Sequence, residues 1–167
     1  MMTPVAIMVA TALCDKSFRR VRALDTMRKV QIMKLASTRL IAADVKAMVG
    51  FYELVTGCPA TWLAPVFAEI VTPGATLAIG SAETVALFRE GSAEPRANRT
   101  AILEFMVDDV DAEFERLRQE VEVVHEPKLM PWGNRSVQFR DPEGTAVSLF
   151  MPFTEAAKKR FGVLGGE

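Results

Sequence analysis

A spacing that recurs along the chain limits the folds open to it more than any single residue does. Ala43-Asp44-Val45 opens an apolar-periodic run, and 65 positions later Asp108-Asp109-Val110 opens another. Gly74, inside Thr72-Pro73-Gly74-Ala75-Thr76-Leu77-Ala78-Ile79, falls 30 residues after Asp44. Gly144, inside Asp141-Pro142-Glu143-Gly144-Thr145-Ala146-Val147-Ser148-Leu149, falls 35 after Asp109. Two similar modules therefore share one chain. A duplicated module usually builds a pseudo-symmetric site between its copies, so the side chains at matched strand positions indicate what such a site can hold.

Each module reads as a strand, a capped helix and three further strands. Leu35 to Ala42 reads as a half-buried strand, and Asp44 has the short acceptor side chain that caps helix amino termini. Val45, Met48, Val49 and Tyr52 then recur at helical spacing until Gly57, a carboxy-terminal stop. Short strands are expected at Thr61–Ala64, Val66–Val71 and Ala75–Gly80, the last two joined by a Thr-Pro-Gly turn. Residues 81–99, with Gly91 and Pro95, read as a connection. The second copy then runs as a strand at Thr100–Val107, a cap at Asp109 and a helix burying Val110, Phe114 and Leu117. Strands follow at Val121–His125, Ser136–Arg140 and Thr145–Phe150. A loop from Pro127 to Asn134 accounts for the five extra residues of this copy. The tail from Thr154 is expected to be a short helix or a frayed end.

Half of the 167 residues are hydrophobic and a quarter are charged, which suits a folded domain with one sizeable core. Net charge is −1, unevenly placed: Met1 to Met33 carries six basic residues against Asp15 and Asp25, leaving −5 on the remainder. An acidic body without a basic stripe argues against nucleic acid as a partner. Cys14 and Cys58 stand far apart without a CxxC, so the expected setting is a reducing cytoplasm. Pro4 to Leu13 is apolar but far shorter than the roughly 20 residues that span a bilayer, and its flanks do not suit a signal peptide, so no membrane partner is expected. We read residues 1–33 as an extension: disordered, the product of an upstream start, or an arm that packs on a second subunit through Phe18, Val21, Leu24 and Met27.

Three segments carry a family resemblance: Phe51-Tyr52-Glu53, Val107-Asp108-Asp109-Val110-Asp111 and Phe139-Arg140-Asp141-Pro142-Glu143-Gly144. With their spacing, residues 34–153 resemble the vicinal oxygen chelate superfamily of glyoxalases, extradiol dioxygenases and bleomycin resistance proteins. The resemblance implies an α+β fold in which two βαβββ modules, 34–80 and 100–153, form a curved cup-like mixed sheet with helices on the outer face. Residues 154–167 would be a tail beyond it. It also implies a ligand inside the cup and, for many members, a homodimer.

In metal-dependent members, His and Glu or Gln project into the cup from four strands. The matching positions here are Ser37, Ile102, Ala78 and Ser148, and this set of hydroxyl and alkyl groups cannot replace imidazole and carboxylate ligands. His125 lies on a different strand and is expected to be a surface or hydrogen-bonded histidine. We therefore expect no metal and no cofactor.

Strand alternation points Ser37, Arg39, Ile41, Phe67, Glu69, Thr76, Ala78, Ile102, Glu104, Met106, Gln138, Ala146, Ser148 and Phe150 toward the cavity. Arg39 and Glu104, each five residues before its capping Asp, are expected to oppose one another. They would act as an ion pair between modules, as a pair orienting a ligand, or with Glu104 as general base and Arg39 stabilising negative charge. Trp132 would close over a planar ligand or plug the rim. Trp62 is expected in the core or at a dimer contact, Phe51 and Tyr52 between helix and sheet, and Cys58 in a structural role.

The function expected on these grounds is metal-free binding of a small molecule, cationic or aromatic, sequestering a drug or metabolite without transforming it. The alternative is a glyoxalase-like enzyme, a lyase, isomerase or epimerase, or dioxygenase, working through Glu104 and Arg39 or an unrecognised metal site. A third possibility is a regulatory domain whose basic first 33 residues make the contact.

Overall fold

The computed structural model describes residues 33–163. The expectations for Pro4 to Leu13, for Cys14, for the stripe from Phe18 to Met27 and for the last four residues of the tail lie outside them.

The first module comprises β1 (Ser37–Ala42), α1 (Val45–Thr56), β2 (Ala60–Ala64), β3 (Phe67–Val71) and β4 (Thr76–Ser81), followed by a short helix α2 (Ala82–Ala86). The second comprises β5 (Ile102–Met106), α3 (Val110–Leu117), β6 (Glu122–Leu129), β7 (Asn134–Arg140) and β8 (Ala146–Pro152), followed by α4 (Glu155–Phe161). Each module forms one four-stranded mixed sheet, β1-β4-β3-β2 and β5-β8-β7-β6. The first strand of each lies parallel to the last, and the remaining pairs are antiparallel. The fold class is α+β, as the duplicated pattern predicts.

Both capping residues do what their chemistry suggests. The Asp44 carboxylate accepts the Ala47 N–H at 3.0 Å, and Asp109 accepts from Asp111 and Ala112. Gly57 ends α1 in the left-handed region, φ 66°, and its N–H donates to the Glu53 carbonyl. Arg135 of β7 donates two hydrogen bonds of 2.6 Å to Asp111, fastening α3 to its sheet and holding that carboxyl below the usual carboxylate range.

Two expectations need correction. The segment read as a loop from Pro127 to Asn134 is strand as far as Leu129, leaving a turn only at residues 130–133. Pro127 is tolerated because β6 is an edge strand and its ladder to β7 is irregular between His125 and Lys128, where a missing N–H breaks no regular pairing. The connection 81–99 begins with a helix, because Ser81 caps it by accepting the Glu83 N–H and the Thr84 hydroxyl bonds back to the Ser81 carbonyl. Gly80 permits that turn: a Cβ there would meet Thr84 Oγ1 at 2.6 Å.

One core joins the two modules. Val45, Met48, Val49, Tyr52 and Val55 of α1, Ala68 and Ile70 of β3, and Leu77 and Ile79 of β4 belong to the same buried cluster as Val110, Leu117, Val137, Phe139, Val147 and Leu149. Polar links cross the same junction. Tyr52 donates to Asp141 Oδ2 at 2.8 Å, the Ala43 N–H to Glu143 Oε1 at 2.7 Å, and Arg116 of α3 to the Leu54 and Val55 carbonyls at the end of α1. α1 packs on β1, β3 and β4, and α3 on β6, β7 and β8. The other face of each sheet is left for the site.

Candidate functional site

The strand registers group the expected cavity residues on the faces away from α1 and α3. In the first sheet, Ser37 pairs with Thr76, Arg39 with Ala78 and Ala78 with Glu69, while Phe67 and Ile41 both pair with Gly80. In the second, Ile102 pairs with Ala146, Glu104 with Ser148 and Ser148 with Gln138, and Met106 pairs with Phe150. Paired residues share a face, and the face alternates along each strand. The intervening residues, such as Leu77, Ile79, Val147 and Leu149, are those in the core.

The two faces differ in chemistry. On the first, the Arg39 guanidinium lies 5.0 Å from the Phe67 ring centroid and 5.4 Å from that of Phe88, a cation resting on two aromatic rings. On the second, Gln138 donates to the Ser148 hydroxyl at 3.0 Å, and the exposed carboxylate of Glu104 lies in the same row. Ile102 and Met106 on this face are 52% and 54% exposed. Ala78, Ala146, Ser148 and Phe150, on the central strands, are buried.

Not all of the expected residues converge. Thr76, Ile102, Glu104 and Met106 border one cleft of about 560 Å³, shared with Leu35 and the turn from Thr72 to Ala75. Arg39 borders a different cavity, of about 350 Å³. Among the described residues no ion pair joins Arg39 to Glu104; the ion pairs present link Arg96 to Glu143, Arg116 to Glu113, Arg118 to Glu115, Arg135 to Asp111 and Lys158 to Glu155. Trp132 is exposed at the turn between β6 and β7, its carbonyl accepting from Arg160 of α4 at 3.3 Å. Trp62 is 42% exposed on the edge strand β2, so it is not a core residue. Tyr52 does more than pack between helix and sheet, since its hydroxyl joins the modules. Burial, reinforced by the charge of Asp141 and the hydrogen bond to it, pushes the phenol far above its usual range.

Three features escaped the sequence. Phe88 joins Arg39 although it lies in the inter-module connection; Leu87-Phe88, two large apolar residues among polar ones, was the available signal. His125 pairs with Gln138, which puts it at the outer end of the Glu104–Ser148–Gln138 row, and one of its ring nitrogens lies 2.9 Å from the Glu126 carbonyl oxygen. Phe161 of α4 lies 5.1 Å from Phe150, so the terminal helix covers the Phe150 end of the second face. Nothing in the spacing of the tail marks that contact.

The four positions that the family resemblance matches to metal ligands carry no imidazole or carboxylate. Ser37, Ala78, Ile102 and Ser148 offer two hydroxyls and two hydrocarbon groups. Among the described residues no three His, Cys, Asp or Glu side chains come together as a metal site would need.

Comparison with known proteins agrees with this fold. The model of the Glyoxalase/Bleomycin resistance protein/Dioxygenase superfamily matches residues 34–149. The chain is 30% identical over 125 residues to the uncharacterised protein YraH of Bacillus subtilis (strain 168), covering 71% of this chain and 98% of that protein. It is similar in structure to a glyoxalase/bleomycin resistance protein/dioxygenase from Nocardioides, with a TM-score of 0.61, 23% identity and coverage of 83% and 92% of the two chains. It is also similar to a lactoylglutathione lyase from Agrobacterium tumefaciens, with a TM-score of 0.56, 26% identity and coverage of 70% and 91%. The repeated βαβββ module, the paired sheets and the family match lead to one conclusion: the chain belongs to the glyoxalase/bleomycin resistance protein/dioxygenase superfamily.

Proposed function

We propose that the protein is a metal-free binding protein that sequesters a small, flat organic molecule, aromatic or cationic, without transforming it. The observation that carries this is the composition of the sheet faces, which set alkyl, aromatic and hydroxyl groups around isolated charges where a metal site would need imidazoles and carboxylates. Such surfaces recognise a ligand by packing and a few oriented polar contacts. Glu69 and Glu104 favour positive charge on the ligand, and Phe67 with Phe88 favours a flat one. The exposed Ile102 and Met106 favour a homodimer in which a second copy covers the open faces. The acidic body disfavours nucleic acid as a partner, and the sparse cysteines suit the cytoplasm.

The test is thermal denaturation with a panel of aromatic amines, followed by chromatographic recovery of any compound that raises Tm. We expect stabilisation that grows with ligand concentration, about 2.7 kcal/mol at a hundredfold excess over Kd, with the compound recovered intact. Glu104→Gln should weaken that response. Conversion of the compound, or one tightly held divalent ion per site by elemental analysis, would overturn the proposal.

A second reading rests on the likeness to the Agrobacterium lyase and on the row Glu104, Ser148, Gln138. Here the protein is a lyase, isomerase or epimerase with Glu104 as the base; Arg39, at a different cavity, takes no part. Loss of turnover in a folded Glu104→Gln variant would select it. The regulatory alternative predicts that removing residues 1–33 abolishes a partner contact and leaves ligand binding intact.

A further inference from the structure

Away from the cleft at Glu104, the cavity of about 350 Å³ lies against the connection between the modules and reaches Arg39 and Ile41 of β1. Leu40, Ile41, Met48 and Leu103 give it apolar walls, and Arg96 and Glu143 border it. Glu143 is buried, only 7% exposed, in the Asp-Pro-Glu-Gly turn between β7 and β8. That turn satisfies nearly all its polar groups. Asp141 Oδ1 accepts the N–H groups of Glu143 and Thr145, Asp141 Oδ2 accepts the Tyr52 hydroxyl, and Glu143 Oε1 accepts the Ala43 N–H. Glu143 Oε2 is the exception: it is buried and, among the described residues, has no hydrogen-bond partner.

An unsatisfied carboxylate oxygen is costly to bury, which makes it unusual in a turn otherwise so completely bonded. Among the described residues its ion-pair partner is Arg96, whose Nε stands 3.4 Å from Oε2 without a hydrogen bond. The Arg96 side chain is 71% exposed, and its backbone has φ 61°, a strained conformation for a residue with a side chain. The group over the vacant oxygen is therefore weakly attached and held at some conformational cost. The guanidinium of Arg39, which also borders the cavity, is engaged with Phe67 and Phe88.

We propose that this cavity is a second ligand site, distinct from the cleft at Glu104, which takes a small organic cation. An amidinium or ammonium group donates to Glu143 Oε2, an apolar body rests on Leu40, Met48 and Leu103, and Arg96 is the stopper that the ligand displaces. A carboxylate oxygen with no hydrogen-bond donor calls for a cationic N–H group, and the hydrocarbon walls call for an apolar body behind it.

Benzamidine has both parts, and calorimetric titration of the full chain with it is the test. Glu143→Gln keeps a carbonyl oxygen for the Ala43 N–H and removes the charge. We expect saturable binding at this cavity, about tenfold weaker in Glu143→Gln and severalfold tighter in Arg96→Ala. Should Glu143→Gln fail to fold, amide chemical shifts of the unaltered protein decide. Perturbation centred on Ala43, Ala97 and Thr145 supports the site, and perturbation centred on Ile102 and Glu104 overturns it. Absence of binding by both the unaltered chain and Arg96→Ala, or equal affinity in a folded Glu143→Gln, also overturns it. Because the sheet-face proposal is read through Glu104, the two can fail independently.

Discussion

Tyr52 is the one tyrosine of the chain, and its hydroxyl meets Asp141, 89 residues away in sequence, inside the core. Removing the hydroxyl leaves Asp141 Oδ2 buried without a donor, so Tyr52→Phe should destabilise the protein by about 1–3 kcal/mol in denaturant unfolding. The same contact sets a pH dependence. The folded phenol ionises well above its usual range, first because it is buried and then because Asp141 is anionic, whereas the unfolded phenol ionises near pH 10. The contribution is thus fully present below about pH 10 and is lost as pH rises beyond it, by up to roughly 1.4 kcal/mol per unit. Tyrosinate absorbance should therefore appear together with loss of the circular dichroism signal; a tyrosinate signal in folded protein would contradict the burial argument. The sequence marked Tyr52 as a packing residue and could go no further, because helical periodicity gives a residue's face and says nothing of its partner in the other module.

Among the elements, the terminal helix is held in an instructive way. α4 is capped by Thr154, whose hydroxyl accepts the Ala157 N–H, and it docks through Arg160, which donates to the Trp132 carbonyl and to Asn134 Oδ1. The turn beneath it depends on Gly133, at φ 92°, where a Cβ would collide with Thr154 Oγ1. Gly133→Ala is therefore expected to cost about 1–3 kcal/mol and to free α4, seen as faster hydrogen exchange at residues 155–161 and less protection of Phe150. Unchanged exchange there would mean that Arg160 and Phe161 hold the helix without help from the turn. A short helix from Thr154 is one of the two readings that the sequence allows for the tail. Its docking has no local signal, because it depends on where β6 ends, and Pro127 in sequence points to a loop where the strand in fact continues to Leu129.

Across the whole molecule, a shared core and four cross-module hydrogen bonds should make the two sheets unfold together. Calorimetry should show one transition for residues 35–163, with calorimetric and van't Hoff enthalpies equal; two resolved transitions would show that the modules are independent. The repeated spacing, the two capping aspartates and the strand alternation were enough to determine both modules and which residues share each sheet face, since these are matters of local period and of backbone groups that need partners. Only the tertiary structure decided how the pieces meet. It set Arg39 on Phe67 and Phe88 and away from Glu104, drew Phe161 over Phe150, and left Glu143 Oε2 without a donor beside a cavity. Each of these depends on packing between segments distant in the chain, and no local pattern carries that information.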